Sequence, residues 1–281
     1  MRSGRLGLAL LLAGLACLGG TTGVARSATG PAQAGVRPWG GTWIRSLDPA
    51  PARLADVPAG SAPIPGEAQS DRVLSDERRV TRWANVRAIS AVRERPDASA
   101  KRITSLHSYT EDDFPEVYLV LRSHADQAGR QWIQVRVPMR PNGRVGWVRR
   151  EALGAFHVTH TAIVVDRSRL RMTLLVNGRK RWSAPVGIGR RRTPTPAGHF
   201  WIRERFKITD RSSGYWPYAF GTSDYSTLSD WPGGGVVGIH GPYHQASLIP
   251  GRVSHGCIRL RKADTAWLAR HITLGTPLLV R

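Results

Sequence analysis

The sequence predicts a mainly β protein, and three observations support that prediction. The 281 residues include 30 glycines and 19 prolines, a composition typical of short strands joined by turns. Short apolar or alternating runs recur from about residue 80 onward, and turn residues separate them. Only one stretch, Asp264 to His271, has a helical pattern. Hydrophobic residues make up 41% of the chain, which is enough to bury a core.

Residues 1–28 have the pattern of a signal peptide or membrane anchor. Two arginines precede an apolar run, Leu6 to Leu18, which is too short to span a bilayer comfortably. Cleavage after Ala25 places small residues at both positions that must be small. The segment ending at Cys17 also loosely resembles a lipoprotein signal. We therefore expect an exported protein of the cell envelope that is cleaved, anchored or lipidated.

Residues 29–79 are rich in proline, alanine, glycine and serine and have no sustained apolar periodicity. That composition predicts a flexible linker. Trp39 and Trp43 are the exceptions, since large aromatic side chains in such a segment suggest docking on a folded surface.

Residues 80–155 predict a small β unit. Pro141-Asn142-Gly143 separates two apolar runs, Trp132–Val137 and Val145–Val148, and so predicts a hairpin. Several short strands in this segment favour a barrel. The string VRERP, which starts at Val92, and the string GWV after Val145 resemble segments of bacterial SH3-like domains, which often accompany cell-wall enzymes. The resemblance implies an SH3-like β-barrel.

Residues 158–281 predict a second β unit with a mainly antiparallel sheet. Asn177-Gly178 predicts a tight hairpin between two apolar runs. The stretch GGGVVGIHG predicts a short buried strand that ends at His240. We expect Asp264 to cap the single helix and Gly275 to close it before the last strand.

The formal net charge of +21 first suggests a nucleic acid, an acidic polymer or an anionic surface as a partner. The cations are nearly all arginines and are scattered, and no zinc-finger spacing or aromatic RNA-binding motif accompanies them. We therefore expect no nucleic-acid partner. Anionic cell-wall polymers stay open as partners, and we expect a monomer.

The candidate chemistry centres on Cys257. If Cys17 leaves with a signal peptide, no intramolecular disulfide is possible and Cys257 remains as a thiol. An unperturbed cysteine, with a pKa of about 8.5, needs a base to become a nucleophile at neutral pH. His240 and His255 are the candidate bases, and His255 would lie beside the thiol if this segment is extended. The glycine at 256 permits a tight backbone whose amides suit an oxyanion.

These residues resemble the signature of the bacterial L,D-transpeptidase family. His240 is followed by fourteen residues, 241–254, of which Ser254 is the last, and then by His255-Gly256-Cys257. The stretch TPTPAGHF, residues 193–200, is similar to a Thr-Pro-rich segment of the same family. The resemblance covers about residues 158–281 and implies the family's YkuD-like catalytic domain, a β-sandwich with one or two short helices.

The resemblance also implies a mechanism on peptidoglycan stem peptides, without a cofactor. Cys257 is the nucleophile and His240 its proton acceptor and donor. The carbonyl of Gly241 orients the imidazole, and His255 and Gly256 shape the oxyanion site. Attack on a stem tetrapeptide releases D-Ala and leaves a thioester, which an amine of a second stem converts into a 3→3 cross-link. Anchoring of a wall protein and hydrolysis are the alternatives within the family.

Four residues are candidates for substrate binding: Ser254, Arg259, Tyr218 and Tyr243. Ser254 borders the catalytic triplet, and Arg259 suits a carboxylate of the stem peptide. A solvated strand arginine is the alternative for Arg259, and packing in the core or at the rim is the alternative for the two tyrosines.

Two other functions remain open. His240, His244, His255 and Cys257 are ligand types that zinc accepts, but Gly241-Pro242 argues against the helix that the pair His240 and His244 would need. We expect no metal. A non-enzymatic module that binds the wall through its basic surface is the second alternative.

Overall fold

The computed structural model describes residues 44–48, 71–230 and 232–281. The predicted signal peptide and the two linker tryptophans, Trp39 and Trp43, lie outside the described residues. Within the described ranges the protein is mainly β, as the sequence predicts, and has one α-helix. The SH3-like barrel and the domain boundaries stay predictions.

The strands of the N-terminal half are β1 (Ile44–Ser46), β2 (Arg72–Val73), β3 (Thr81–Asn85), β4 (Ala91–Arg93), β5 (Arg102–Ser105), β6 (Val117–Ala125), β7 (Gln131–Arg136), β8 (Val145–Arg149) and β9 (His157–Thr159). Those of the C-terminal half are β10 (Thr161–Asp166), β11 (Arg171–Val176), β12 (Arg179–Pro185), β13 (Gly187–Gly189), β14 (Gly198–Ile208), β15 (Tyr218–Tyr225), β16 (Val236–His240), β17 (Gly251–Ser254), β18 (Ile258–Arg259) and β19 (Pro277–Val280). The helix α1 spans Lys262–Ala269, and short 3-10 turns span Arg150–Ala152, Pro232–Gly235 and Ala246–Leu248.

Eight strands form an antiparallel sheet in the order β5-β4-β8-β7-β6-β3-β9, with β2 against β6. Its apolar cluster includes the fully buried side chains of Leu106, Tyr118 and Leu153. The predicted hairpin is present, since β7 pairs with β8 on either side of residues 137–144.

Eleven strands form the second sheet, in the order β12-β11-β10-β19-β14-β15-β16-β18-β13-β17, with β1 against β14. Most pairings are antiparallel, but β10 with β19, β13 with β17 and β16 with β18 are parallel. Its apolar cluster includes Ile163, Phe200 and Phe220. The turn between β11 and β12 has positive φ at Asn177 and Gly178, +51° and +76°, as the predicted hairpin requires.

The helix differs from its prediction at both ends. It begins two residues before Asp264, and its N-cap is Arg261, which makes no side-chain capping bond. Asp264 instead lies in the first turn, where a carboxylate favours the positive end of the helix dipole. Gly275, with φ at +70°, belongs to the turn before β19 and not to the helix end. No helix in the described ranges is long and apolar enough to cross a membrane.

The predicted flexible linker contains strands where the structure describes it. β1 pairs with β14 through the register Ile44 to Ile208, and β2 pairs with β6. Asp48, just after β1, accepts a hydrogen bond of 2.8 Å from Arg205 of β14. These parts of residues 29–79 are therefore held on the two sheets, because backbone pairing does not require an apolar sequence pattern.

The two sheets meet at a junction formed by β6 and the loops around it on one side and by β14 and β15 on the other. The Arg203 guanidinium donates to both carboxylate oxygens of Glu116, and both side chains are buried. The indole of Trp201 donates to the carbonyl of Val117 at 2.7 Å. Gly275 allows its backbone to lie close to the Trp83 side chain, because a Cβ at this position would lie 2.1 Å from Trp83.

Candidate active site

Parallel pairing of β16 with β18 brings the two predicted catalytic residues together. Ile239 pairs with Ile258 and His240 pairs with Arg259. His240 therefore ends one strand, while Cys257 directly precedes the neighbouring strand. All five residues of β16 are buried, so the imidazole is held on a rigid element.

His240 is a neutral base in this structure. Its Nδ1 lies 2.8 Å from the carbonyl oxygen of Gly241, and a carbonyl only accepts, so Nδ1 carries the proton. Nε2 then bears the lone pair that accepts a proton from a nucleophile. Burial, reinforced by the charge of Arg259, lowers the pKa of His240 to about 3.

Gly241 is required by the space around the imidazole. A Cβ at this position would lie 1.9 Å from the carbonyl oxygen of Trp216. The backbone next to it is fixed, since the Gly241 amide donates to the Tyr215 carbonyl at 3.3 Å. The Tyr215 ring packs edge-on against His240 with 4.7 Å between ring centroids. The loop before β15 thus fixes the backbone beside the carbonyl that orients the histidine, and it packs Tyr215 against the imidazole.

Cys257 is the free cysteine of the described residues, and it is half-buried. Burial raises the pKa of its thiol, and the charge of Asp224 adds to that effect. The Gly238 amide and Arg259 act in the opposite direction. The raised pKa of the thiol and the lowered pKa of His240 together favour a neutral resting pair, in which proton transfer accompanies attack.

The turn before the thiol is held by two buried hydroxyl groups. Ser254 Oγ donates to the Cys257 carbonyl at 2.6 Å and accepts from the Gly256 amide at 3.2 Å. Thr195 Oγ1 donates to the Gly256 carbonyl at 2.6 Å. Gly256 has φ at +136°, a conformation that side-chain-bearing residues rarely adopt. The glycine therefore permits the turn, while its amide donates to Ser254 Oγ. The role of Gly256 in an oxyanion site stays a prediction.

His255 is exposed, because the chain bends at residues 255 and 256 and does not continue as an extended strand. The prediction that His255 lies beside the thiol required an extended segment, and this segment is not extended. Its carbonyl oxygen accepts a hydrogen bond of 3.1 Å from Ser226 Oγ. The structure therefore connects His255 to the site through its backbone.

Arg259 is buried, with 7% of its surface exposed, so the alternative of a solvated strand arginine is wrong. Its guanidinium lies over the Tyr243 ring at 4.8 Å and donates to the side-chain oxygen of Gln245. Its Nε has no hydrogen-bond acceptor among the described residues. A buried guanidinium with an unused donor next to a thiol suits an anionic ligand group.

The two predicted tyrosines have different surroundings. Tyr243 is 42% exposed, adopts a positive φ of +56° and lies near both His240 and Arg259. Tyr218 begins β15 and packs against the apolar cluster of the larger sheet. Of these two tyrosines, Tyr243 is the one that contacts other site residues in the described part of the chain.

The described residues contain no group of three or more histidine, cysteine, aspartate or glutamate side chains arranged to hold a metal ion. His244 also has a positive φ of +60°, so it does not share a helical face with His240. The arrangement that the zinc alternative needs is absent from this part of the chain.

Sequence reasoning missed Thr195 and Ser226 as supports of the turn. Thr195 lies within the Thr-Pro-rich stretch at 193–200, so its segment carried a signal although its role did not. Ser226 is a single serine after β15 with no motif around it. Its importance depends on contact with a carbonyl 29 positions away in the sequence.

Comparison with known proteins gives consistent matches to one family. Residues 160–280 match the family model described as the L,D-transpeptidase catalytic domain, YkuD. L,D-transpeptidase 1 of Mycobacterium tuberculosis is 30% identical over 129 residues, which cover 42% of this chain and 49% of that protein. YkuD of Bacillus subtilis is 30% identical over 121 residues, which cover 43% of this chain and 65% of that protein.

Among solved structures, the catalytic domain of the Enterococcus faecium L,D-transpeptidase is 27% identical. The match covers 43% of this chain and 96% of that one, with a TM-score of 0.34. The match to the mycobacterial relative covers 49% of that protein, so this chain spans about half of its length.

Proposed function

We propose that the protein is a peptidoglycan L,D-transpeptidase with Cys257 as its nucleophile, because residues 160–280 match the model of the YkuD family of L,D-transpeptidase catalytic domains. The observation that supports this most is the strand pairing that sets the thiol next to a buried, neutral histidine whose proton lies on Nδ1. The substrate is a stem tetrapeptide of peptidoglycan.

Acylation uses the neutral pair. As Sγ of Cys257 attacks the carbonyl of the third stem residue, Nε2 of His240 takes the thiol proton. The C–N bond to D-Ala then breaks, and the imidazolium gives that proton to the leaving amine. A histidine whose pKa is about 3 is a strong acid once protonated, so it readily returns the proton.

Deacylation repeats the exchange in the other direction. An amine of a second stem attacks the thioester carbonyl and gives a proton to His240. The C–S bond breaks, and the sulfur recovers the proton from the imidazolium. The products are a 3→3 cross-link and the resting neutral pair. Attachment to a wall protein and transfer to water differ only in the acceptor.

Arg259 has the contacts expected of a substrate-binding residue. Tyr243 and Gln245 hold its guanidinium beside the thiol, and its Nε has no described acceptor. A carboxylate of the stem peptide would satisfy this donor through a charge-assisted hydrogen bond. The positive charge also favours sulfur as its negative charge develops.

The proposal extends to the two halves of the chain, to its charge and to its location. We assign residues 158–281 to catalysis and residues 80–155 to an SH3-like unit that holds the enzyme on the wall. The charge of +21 suits anionic wall polymers there. The location is outside the cytoplasm, where the substrate lies. Salt-sensitive binding of the whole protein to purified wall material would support the wall-binding role, and no binding at low salt would contradict it.

The test of the catalytic assignment incubates the purified protein with tetrapeptide muropeptides and follows products by mass spectrometry. Wild type should form an acyl adduct on Cys257, release D-Ala and yield cross-linked dimers. Cys257→Ala should lower the rate at least about 10³-fold, because the nucleophile is gone. Full activity of this variant would refute the nucleophile, and no product from wild type would refute the reaction.

His244→Ala is a matched control for the competing zinc function. His244 lies close to the site but has no role in the thiol mechanism, so the variant should keep wild-type turnover. Loss of activity in His244→Ala, with loss to a chelator and recovery with zinc, would favour a metal site and overturn the proposal.

A further inference from the structure

A buried carboxyl group lies behind the nucleophile and is not used by the mechanism above. Asp224 belongs to β15 and has 0% of its surface exposed. One of its carboxyl oxygens, Oδ2, has no hydrogen-bond partner among the described residues. Its charge acts on the thiol of Cys257. Burial of an unpaired carboxylate is costly, so such a group calls for an explanation.

Thr222 connects this carboxyl group to the next strand. Thr222 and Asp224 are two positions apart on β15 and their side chains meet, while Ser223 points to the other side and accepts from the Trp201 amide. Thr222 Oγ1 lies 2.6 Å from the carbonyl oxygen of Val237 and also contacts Oδ1 of Asp224.

The number of protons available for these hydrogen bonds bears on whether Asp224 is protonated. The threonine hydroxyl has one proton, and the Val237 carbonyl has none to give. This hydroxyl lies within hydrogen-bond reach of both the Val237 carbonyl and Oδ1 of Asp224, but it can donate its proton to only one of them. Both contacts are hydrogen bonds when Asp224 carries a proton and donates to Thr222, which then donates to Val237. Burial raises the pKa of Asp224 to about 7, so this carboxyl group keeps its proton much closer to neutral pH than an exposed aspartate does.

The same peptide unit reaches the thiol. The carbonyl of Val237 and the amide of Gly238 belong to one peptide bond. Pairing of Ile239 with Ile258 sets Gly238 beside Cys257. Burial raises the pKa of the thiol, and a hydrogen bond from the Gly238 amide acts against that effect. A hydrogen bond to the carbonyl of a peptide polarises its N–H and strengthens the bond that the N–H makes. The two buried side chains are thus linked to the sulfur by hydrogen bonds alone.

We propose that Asp224 and Thr222 are positioning residues for the nucleophile, in a relay where protonated Asp224 donates to Thr222, Thr222 donates to the Val237 carbonyl, and the Gly238 amide stabilises the Cys257 thiolate. The relay rests on the proposed function, since it concerns the thiol assigned there as nucleophile. It supplies stabilisation from the strand side, while His240 removes the proton.

The proton on Asp224 has a second consequence. An ionised Asp224 would repel the thiolate, and a neutral acid does not. Cys257 is also influenced by Arg259, and it in turn raises the pKa of Tyr215. Among the described groups whose charges act on the thiol pKa, Arg259 is the cation and Asp224 is the carboxyl group. Its protonation therefore removes the main opposing charge.

The experiment measures the rate at which iodoacetamide alkylates Cys257 between pH 6 and about 10, which reports the pKa of the thiol. Thr222→Val removes the hydroxyl at nearly constant volume. The variant should raise the thiol pKa and slow alkylation at neutral pH about tenfold, as expected for a change of one pKa unit. Thr222→Ser should restore the wild-type profile.

Asp224→Asn tests the proton directly, because a carboxamide donates to Thr222 as the acid does. The variant should keep the alkylation rate at pH 6 and react faster than wild type above about pH 8, since no negative charge develops there. A tenfold or larger loss in Asp224→Asn would overturn the relay, because the carboxylate itself would then be needed. An unchanged thiol pKa in Thr222→Val would also overturn it.

Ser223→Ala is the matched control. It removes a buried hydroxyl from the same strand but on the other side, so it should lower the melting temperature without changing the thiol pKa. If Thr222→Val and Ser223→Ala shift the alkylation profile alike, the effect is general loosening and the relay is wrong. Alkylation needs no substrate, so failure of the relay is distinguishable from failure of the transpeptidase assignment.

Discussion

The junction between the two sheets differs from their interiors in the charged groups that it buries beside its apolar contacts. Each sheet buries an apolar cluster, represented by Leu153 in the smaller sheet and Phe200 in the larger one. The junction also packs Trp201 of β14 against Val117 and Leu119 of β6. Beside these apolar contacts it buries the ion pair of Arg203 and Glu116, with further acidic groups around it. Apolar burial stabilises without direction, whereas hydrogen bonds and ion pairs require one relative arrangement.

The junction also reaches the candidate active site. In the β7–β8 hairpin, Asn142 donates to the Tyr225 carbonyl at 2.9 Å and accepts from the Tyr225 amide at 3.0 Å. Arg140 donates to the Ser226 carbonyl at 2.9 Å. Ser226 in turn donates to His255, two residues before the nucleophile. The smaller sheet is thus linked by hydrogen bonds, through Tyr225 and Ser226, to the turn before Cys257.

The largest effect should come from removing the buried cation of the junction. Arg203→Met leaves Glu116 and Glu111 without their guanidinium partner, and Glu116 is fully buried. Stranding a buried charge typically costs about 3–5 kcal/mol of unfolding free energy. Urea denaturation at pH 7 measures the loss.

The same substitution on an exposed ion pair is the control. Arg169 lies 4.0 Å from Asp166 and is largely exposed, so Arg169→Met should cost no more than about 1 kcal/mol. Equal losses in the two variants would show that the junction pair is no more important than a surface pair, and the contrast between junction and surface would fail.

A smaller effect is expected from the hairpin contact. Asn142→Ala removes the partners of both backbone groups of Tyr225, which should cost about 1–3 kcal/mol. It should also slow acylation of Cys257 a few-fold, because Ser226 loses part of its support. Stopped-flow measurement of acyl-adduct formation gives the rate.

Asn85→Ala is the matched control for the hairpin. Asn85 donates to the Glu116 carbonyl at 2.9 Å, within the smaller sheet and away from the catalytic turn. It should lower stability and leave the acylation rate unchanged. If both variants acylate at the wild-type rate, the hairpin only stabilises the fold and does not act on the site.

Local patterns predicted the features that depend on local structure. Asn177-Gly178 predicted its hairpin because two consecutive residues with positive φ are needed there. His240 and Cys257 were predicted because their spacing matches a known signature. The helix start was missed because Arg261 caps it without a side-chain bond, which leaves no capping residue in the sequence to detect.

Contacts between distant residues were not predictable in this way. Arg203 and Glu116 are 87 positions apart, and nothing in either local sequence distinguishes a buried charge from an exposed one. Thr222 and Asp224 lie in a strand with no catalytic motif, and their role depends on the neighbouring strand β16. Prediction from one sequence therefore named Cys257 and His240 as candidate reacting groups but not the groups that contact them.

The smallest expected effect concerns the carboxyl group of Glu204, which lies near Asp112 at the junction. Glu204 of β14 is buried, and desolvation, reinforced by the negative charge of Asp112, raises its pKa to about 8. Glu111 acts in the same direction, while Arg203 and Thr110 oppose the shift. A carboxyl group with a raised pKa in the folded state stabilises folding less as pH increases from its unfolded value to its folded value. This loss therefore falls between about pH 4.5 and pH 8.

Glu204→Gln removes this pH dependence, because an amide does not titrate. The melting temperature of the variant relative to wild type should be higher at pH 9 than at pH 5, because only wild type must ionise a buried carboxyl group. The net gain over wild type at pH 9 should be about 1 kcal/mol. The gain is modest because the amide must find acceptors in the same buried site. A difference in melting temperature that does not change with pH would show that Glu204 is already ionised in the native state. Glu204 would then be a paired carboxylate, as Glu116 is, and the junction would contain no protonated carboxyl group at position 204.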